Sequence, residues 1–222
     1  LAGVVNDGCV IGAAGTHGKT TTTALTASVL TAANLDPTGI VGGQVLGWRS
    51  NLRVGSGALY VVEADEYDRS FLTLRPTVAV VTTMEADHLD VFGTMEGVEQ
   101  AFLEYVERVP PDGLIVASAD DSGVGRLIPR LRGPRRSVMT YGTSAGSMMR
   151  AEGIVTSGRT TTFVAREFGR KLGKVTLRIP GIHNVRNSLA AATVARHLGV
   201  SWSAIAEGLE SYTGVERRFE EI

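Results

Sequence analysis

The sequence has one cysteine, Cys9, so an internal disulfide and a cysteine cage for zinc are both excluded, and a reducing compartment suits it. No apolar run approaches the ~20 residues that a membrane-spanning helix needs. A surplus of charge is missing too: 22 Lys and Arg stand against 23 Asp and Glu, a formal net charge of -1. Nucleic-acid binders concentrate basic charge to neutralise phosphates, and this balance argues against that class. The densest basic cluster, Arg130, Arg132, Arg135 and Arg136, surrounds Gly133 and Pro134 and reads as a solvated turn. The first nine residues carry no basic segment followed by a long apolar one, so no signal peptide is expected. The sequence begins abruptly, as a cut domain would, and the cytoplasm is the expected compartment.

What is present is glycine and apolar bulk, 27 glycines and 43% hydrophobic residues in 222 positions. That fits a loop-rich globular chain with enough length for one large α/β domain. Apolar runs at residues 9–14, 59–63, 78–82, 114–118 and 138–141 read as strands buried on both faces. Apolar residues recur at three- and four-residue spacing over 19–33, 95–109, 184–198 and 201–211, which predicts helices. Between 149 and 179 apolar and polar residues alternate around Gly153, Gly158, Gly169 and Gly173, as in antiparallel hairpins. The expected fold is α/β: a mostly parallel sheet flanked by helices, with a small antiparallel sheet beside it.

Chemistry concentrates where strands end. Gly15-Thr16-His17-Gly18-Lys19-Thr20 follows an apolar strand and opens a helix, the context that a phosphate-binding loop requires. Small residues let the backbone N–H groups approach an anion, and the helix N-terminus adds partial positive charge. Lys19 can reach outer phosphates and the Thr20 hydroxyl can ligate magnesium, so ATP and Mg2+ are the expected ligands. Ala13 stands where the usual pattern has its first glycine.

The run at 59–63 ends in four carboxylates, Glu63, Asp65, Glu66 and Asp68, at the edge where an open α/β sheet binds ligands. Magnesium is the natural countercharge for Glu63, and a solvated acidic turn is the alternative for the others. Past the next strand comes Glu85-Ala86-Asp87-His88-Leu89-Asp90, in which His88 is either a ligand or a hydrogen-bonded turn residue. Asn184 and Asn187 lie three residues apart on one face of a predicted helix. Their amides suit the edge of an adenine base, although Asn184 would also serve as a helix N-cap.

Taken in order, Gly15-Thr16-His17-Gly18-Lys19-Thr20-Thr21, Glu63-Ala64-Asp65-Glu66, Asp87-His88-Leu89-Asp90, His183-Asn184-Val185-Arg186-Asn187 and Arg217-Arg218-Phe219 resemble the Mur ligases of bacterial cell-wall synthesis. The resemblance implies that residues 1–222 are the central ATP-binding domain of a three-domain enzyme, between a UDP-sugar domain and an amino-acid-binding domain. It further implies ATP-dependent amide formation through an acyl phosphate, with UDP-N-acetylmuramate and L-alanine as substrates. Attachment of a tripeptide to the same sugar nucleotide is the alternative within the family. A P-loop kinase or NTPase and a non-catalytic nucleotide-binding module are the alternatives outside it.

By the same resemblance Lys19 serves the β- and γ-phosphates, Thr20 and Glu63 one magnesium, and His88 a second. Asn184 and Asn187 flank adenine, Arg218 reaches the γ-phosphate, and Asp120 and Asp121 lie near the nucleotide. Several relatives carry a carbamoylated lysine about fourteen residues after the histidine, where this sequence has Phe102.

Overall fold

Ten strands form one sheet in a computed structural model that describes residues 1–131 and 137–216. In chain order they are β1 (Cys9–Ala14), β2 (Thr38–Val45), β3 (Ser50–Arg53), β4 (Leu59–Glu63), β5 (Val78–Val81), β6 (Leu114–Ser118), β7 (Ser137–Gly142), β8 (Met149–Ser157), β9 (Thr160–Glu167) and β10 (Arg170–Leu177). The spatial order is β10-β9-β8-β7-β6-β5-β1-β4-β2-β3. Strands β1, β2, β4, β5, β6 and β7 pair in parallel, with β1 between β4 and β5. Their carboxyl ends therefore share one edge of the sheet, which is where ligands bind in open α/β folds.

The helices are α1 (Ala2–Val5), α2 (Lys19–Ala32), α3 (Leu89–Phe92), α4 (Met95–Val106), α5 (Ser122–Leu131), α6 (Ile182–His197) and α7 (Trp202–Ser211). Successive side chains of a strand point to opposite faces, so an unbroken apolar run feeds two cores. In β1, Ile11 and Ala13 join α2, α6 and α7 on one face, while Val10 and Ala14 join α4 and α5 on the other. Val61 and Val62 of β4 divide in the same way, as do Val80 and Val81 of β5. The loop after β1 is thereby held from both sides. Phe102 lies in the second core, fully buried and edge-on to Phe71 at 5.5 Å between ring centres.

The antiparallel strands β8, β9 and β10 extend the main sheet rather than forming a second one. Tyr141 and Gly142 of β7 pair in parallel with Met149 and Arg150 of β8, which covers backbone groups that a free edge would expose. Helix α4 stops at Val106 rather than 109, because Pro110 disfavours a helical residue before it. Helix α6 begins at Ile182, two residues before the expected start, where Gly181 at φ 104° turns the chain.

Elements with little apolar periodicity are additions to the sequence reading. Strand β2 contains Gly39, Gly42 and Gly43, and a Cβ on Gly39 would lie 2.6 Å from the Trp48 ring, so the glycine makes room for the tryptophan. Helix α5 forms despite Gly123, Gly125 and Pro129, burying Val124, Leu127 and Leu131 at helical spacing. Arg130 sits in its last turn, where a cation complements the helix dipole, and not in a turn as expected. Arg132, Arg135 and Arg136 lie outside the described residues.

Candidate functional site

The loop after β1 is built by glycine and clamped by threonine. Gly15 has φ 141° and Gly18 has φ 85°, conformations that side chains disfavour. A Cβ on Gly15 would run into Thr82 Oγ1, and one on Gly18 would lie 2.8 Å from Asn187 Oδ1. Thr82 Oγ1 donates to the His17 carbonyl at 2.6 Å, and the His17 N–H donates to Thr83 Oγ1 at 2.7 Å. Thr16 N–H donates to the Thr83 carbonyl at 3.1 Å, and Thr16 Oγ1 accepts from Glu85 N–H at 3.0 Å. The polar residues just past β5 thus fix the loop's shape.

Helix α2 starts directly after this loop, with Gly18 as its N-cap and no side chain capping it. An uncapped first turn presents N–H groups with no partner in the helix, together with the positive end of its dipole. Any anion placed there meets a ready-made cradle. This geometry fits the phosphates of a nucleotide.

On one side of the loop stand the carboxylates that follow β4. Thr20 Oγ1 donates to Glu63 Oε1 at 2.8 Å, and Gly42 N–H donates to Glu63 Oε2 at 2.6 Å. Lys19 Nζ lies 2.8 and 2.7 Å from the two carboxylate oxygens of Glu66, and 3.7 Å from Asp65 Oδ1. Glu66 is buried, whereas Asp65 and Asp68 are exposed, so the four acids divide into two that face the loop and two that are solvated. The Thr20 hydroxyl and the Glu63 carboxylate form a paired oxygen set of the kind magnesium accepts, and that ion keeps several waters and phosphate oxygens besides.

On the other side is a cleft of about 300 Å3 lined by His17, Gly18, Thr21, Thr82, Asp120, Tyr141, His183, Arg186 and Asn187, among others. Asp120 is its anchor. The Asp120 carboxylate accepts from Thr143 N–H at 2.7 Å and Ser144 N–H at 3.0 Å, from both their hydroxyls, and from Arg186 Nε at 2.9 Å. Burial alone would raise its pKa, but the hydrogen bonds from Ser144 and Thr143 outweigh that and hold the group well below the usual carboxylate range. Asp121 serves the scaffold instead. Its Oδ1 accepts from Val124 N–H at 2.8 Å, in the first turn of α5, and from Met84 N–H at 3.1 Å, and so ties the β5 and β6 loops together.

The residues singled out in the sequence therefore separate. Gly15, Thr16, His17, Gly18, Lys19, Thr20, Thr21, Glu63 and Asn187 converge on the loop and its two flanks. Asn184 does not line the cleft; its Nδ2 donates to the Pro180 carbonyl at 2.7 Å, and Gly181 takes the N-cap position instead. His88 takes a left-handed conformation at φ 52° before α3, edge-on to Tyr67 at 5.2 Å and 3.8 Å from Asp87 Oδ2. Among the described residues no three His, Cys, Asp or Glu side chains cluster as a metal site. Arg218 lies outside the described residues. Thr82, Thr83, His183 and Arg186 were not singled out as loop or cleft residues in the sequence; their shared signal is a place just past a strand end or at the start of α6.

A family model described as Mur ligase middle domain matches residues 13–195. The chain is 43% identical over 210 residues to the UDP-N-acetylmuramate–L-alanine ligase of Salinibacter ruber, covering 95% of this chain and 44% of that protein. Among solved structures, it resembles UDP-N-acetylmuramate:L-alanyl-gamma-D-glutamyl-meso-diaminopimelate ligase from Neisseria meningitides with a TM-score of 0.86 at 30% identity, covering 96% of this chain and 69% of that one. It resembles UDP-N-acetylmuramate-alanine ligase from Thermotoga maritima with a TM-score of 0.82 at 29% identity, covering 96% and 47%. The chain spans less than half the length of the curated relatives it matches.

Proposed function

We propose a function from one premise: the chain belongs to the Mur ligase family, as its middle domain. In the complete protein this domain binds Mg-ATP for the joining of L-alanine to UDP-N-acetylmuramate. The observation that carries the reading is the loop at the carboxyl edge of the sheet, where an uncapped helix N-terminus, Lys19, Thr20 and Glu63 stand together. The identity of the amine rests on the similarity to the alanine-adding relatives.

The physical demand of the reaction is charge control. A sugar-nucleotide carboxylate must approach a triphosphate, so cations have to neutralise oxygens before an in-line attack is possible. The N–H groups of the loop and the Lys19 ammonium supply fixed positive charge at the phosphates. Thr20 and Glu63 would hold a magnesium ion, with His88 serving a second, and that metal neutralises phosphate charge when bound. Asn187, at the cleft side of Gly18, would flank the adenine, whereas Asn184 is turned away to the Pro180 carbonyl. Arg218 would approach the γ-phosphate. The substrate carboxylate attacks the γ-phosphorus of ATP and displaces ADP, giving an acyl phosphate; the amine of alanine then attacks the acyl carbon, gives up a proton and displaces inorganic phosphate to form the amide. The flanking domains would bring the sugar nucleotide and the amino acid to this edge.

A second reading, attachment of a ready-made tripeptide to the same sugar nucleotide, is favoured by the likeness to the Neisseria enzyme. The complete protein decides between them when it is given Mg-ATP, UDP-N-acetylmuramate and either L-alanine or the tripeptide, with products read by mass spectrometry. The alanine amide is the expected product. An amide from the tripeptide alone would replace the proposal with the second reading, and ATP hydrolysis without either amide would leave a P-loop NTPase.

A further inference from the structure

Lys19 does not stand free in the loop. Its ammonium is gripped by both carboxylate oxygens of Glu66, at 2.8 and 2.7 Å, while the exposed Asp65 makes only a 3.7 Å contact. The pair is sheltered: the Lys19 side chain is 13% exposed and that of Glu66 is 4%. An uncompensated carboxylate at such a depth is costly, so Glu66 has no reason to release its lysine when an anion arrives. An ammonium has three N–H donors, enough to serve Glu66 and a phosphate together.

The backbone that presents Glu66 is equally fixed. After Glu66 the 3-10 segment Tyr67–Thr73 is broken by a kink at Asp68 (φ 52°) and Arg69 (φ 54°); Arg69 N–H donates to the Glu66 carbonyl at 3.0 Å and Phe71 N–H to the Asp65 carbonyl at 3.0 Å. Phe71 is buried in the second core and stacks on Tyr105 at 5.0 Å between ring centres. The turn therefore anchors the carboxylate to the core.

We propose that Glu66 is the positioning residue of the phosphate loop: anchored through Phe71, it holds the Lys19 side chain extended along the loop before nucleotide arrives. A lysine carries large rotamer freedom, and a side chain already ordered does not lose it on binding. Glu66 touches no phosphate in this scheme. It acts through Lys19, and the inference rests on the reading of Lys19 as an ATP ligand.

The test is a double-mutant cycle on Mg-ATP affinity, measured by calorimetry on the complete protein, with melting temperatures taken alongside. Glu66→Leu keeps bulk and removes both acceptors; Glu66→Gln keeps one acceptor and guards against a misfolded leucine variant. The expected loss for Glu66→Leu is about ten-fold, the size expected when a lysine must be ordered during binding rather than before it. Glu66→Gln should recover part of that loss. In a Lys19→Met background Glu66→Leu should no longer weaken binding, because the partner it acts through is gone. Unchanged or tighter binding by Glu66→Leu or Glu66→Gln overturns the inference, as does an equal loss in the Lys19→Met background. If Lys19→Met itself binds Mg-ATP as well as the parent protein, the ATP-site reading fails, and this inference with it.

Discussion

Gly18 carries two constraints at once, a φ of 85° and the 2.8 Å that would separate a Cβ from Asn187 Oδ1. Alanine there costs about 1–2 kcal/mol for the left-handed conformation and also displaces the asparagine. Gly18→Ala is expected to lower the melting temperature by a few degrees and to weaken Mg-ATP binding by more than ten-fold in calorimetry. Unchanged affinity would show that the loop tolerates a side chain at its tightest point.

Asp120 gives a pH-dependent prediction. Its folded pKa is depressed below the unfolded value of ~3.9, so its stabilisation is fully present above that pH and is lost as pH falls through the folded value. Asp120→Asn should therefore cost about 1.5–3 kcal/mol at pH 7, the usual worth of hydrogen bonds to a charged group. The gap in melting temperature between the two proteins should narrow below about pH 4. A gap that stays constant with pH would mean the charge of Asp120 is not what Thr143, Ser144 and Arg186 stabilise. At this scale Lys19 and Thr20 were legible because strand, loop and helix follow one another in the chain, and Glu63 because it ends an apolar strand. The buried grip of Glu66 and the hub at Asp120 were beyond it, since both depend on contacts between residues 47 and 66 positions apart.

Among the elements, α7 lies against α2 through a glycine. A Cβ on Gly208 would come within 2.6 Å of Val29 Cα and 3.2 Å of Ala32 Cβ. Alanine is better than glycine in a helix by about 1 kcal/mol, but backbone cannot yield as a flexible side chain can, and overpacking costs about 1–3 kcal/mol. The second effect should win: Gly208→Ala is expected to lower the denaturant midpoint, and a raised midpoint would show that the helices separate without cost. The strands of the central sheet were legible because both their faces are buried and their apolar runs are unbroken. Strand β2 and helix α5 were not, since glycine and proline occupy positions where a periodic apolar pattern would have marked them, and β3 was not because Leu52 is its one apolar residue. The antiparallel strands were legible as hairpins but not as an extension of the main sheet. Their link to it is only two residue pairs long.

At the scale of the whole molecule, the described residues form a sheet with two cores, and the proposed ligation asks more of the ligand edge than nucleotide binding does. Holding reactants in near-attack geometry supplies up to ~7–11 kcal/mol of a bimolecular barrier in favourable cases. Two of the three reactants of the proposed reaction would be held mainly by the flanking domains. Residues 1–222 alone should bind Mg-ATP, hydrolyse it slowly at most, and form no amide from UDP-N-acetylmuramate and L-alanine. Multiple-turnover amide formation by this chain, read by mass spectrometry, would show that the substrate sites are misplaced.

The loop around Lys19 is proposed to bind Mg-ATP. Because Lys19 is paired with a buried carboxylate, removing it alone leaves that charge uncompensated, a change worth about 3–5 kcal/mol. The direct measurement is a calorimetric titration of the chain with Mg-ATP, repeated on Lys19→Met and on Lys19→Met combined with Glu66→Gln, which removes both charges together. Circular dichroism establishes that each variant is folded. Saturable 1:1 binding by the parent chain, and much weaker binding by the folded variants, is the expected result. Equal affinity in a folded variant without Lys19 would contradict it.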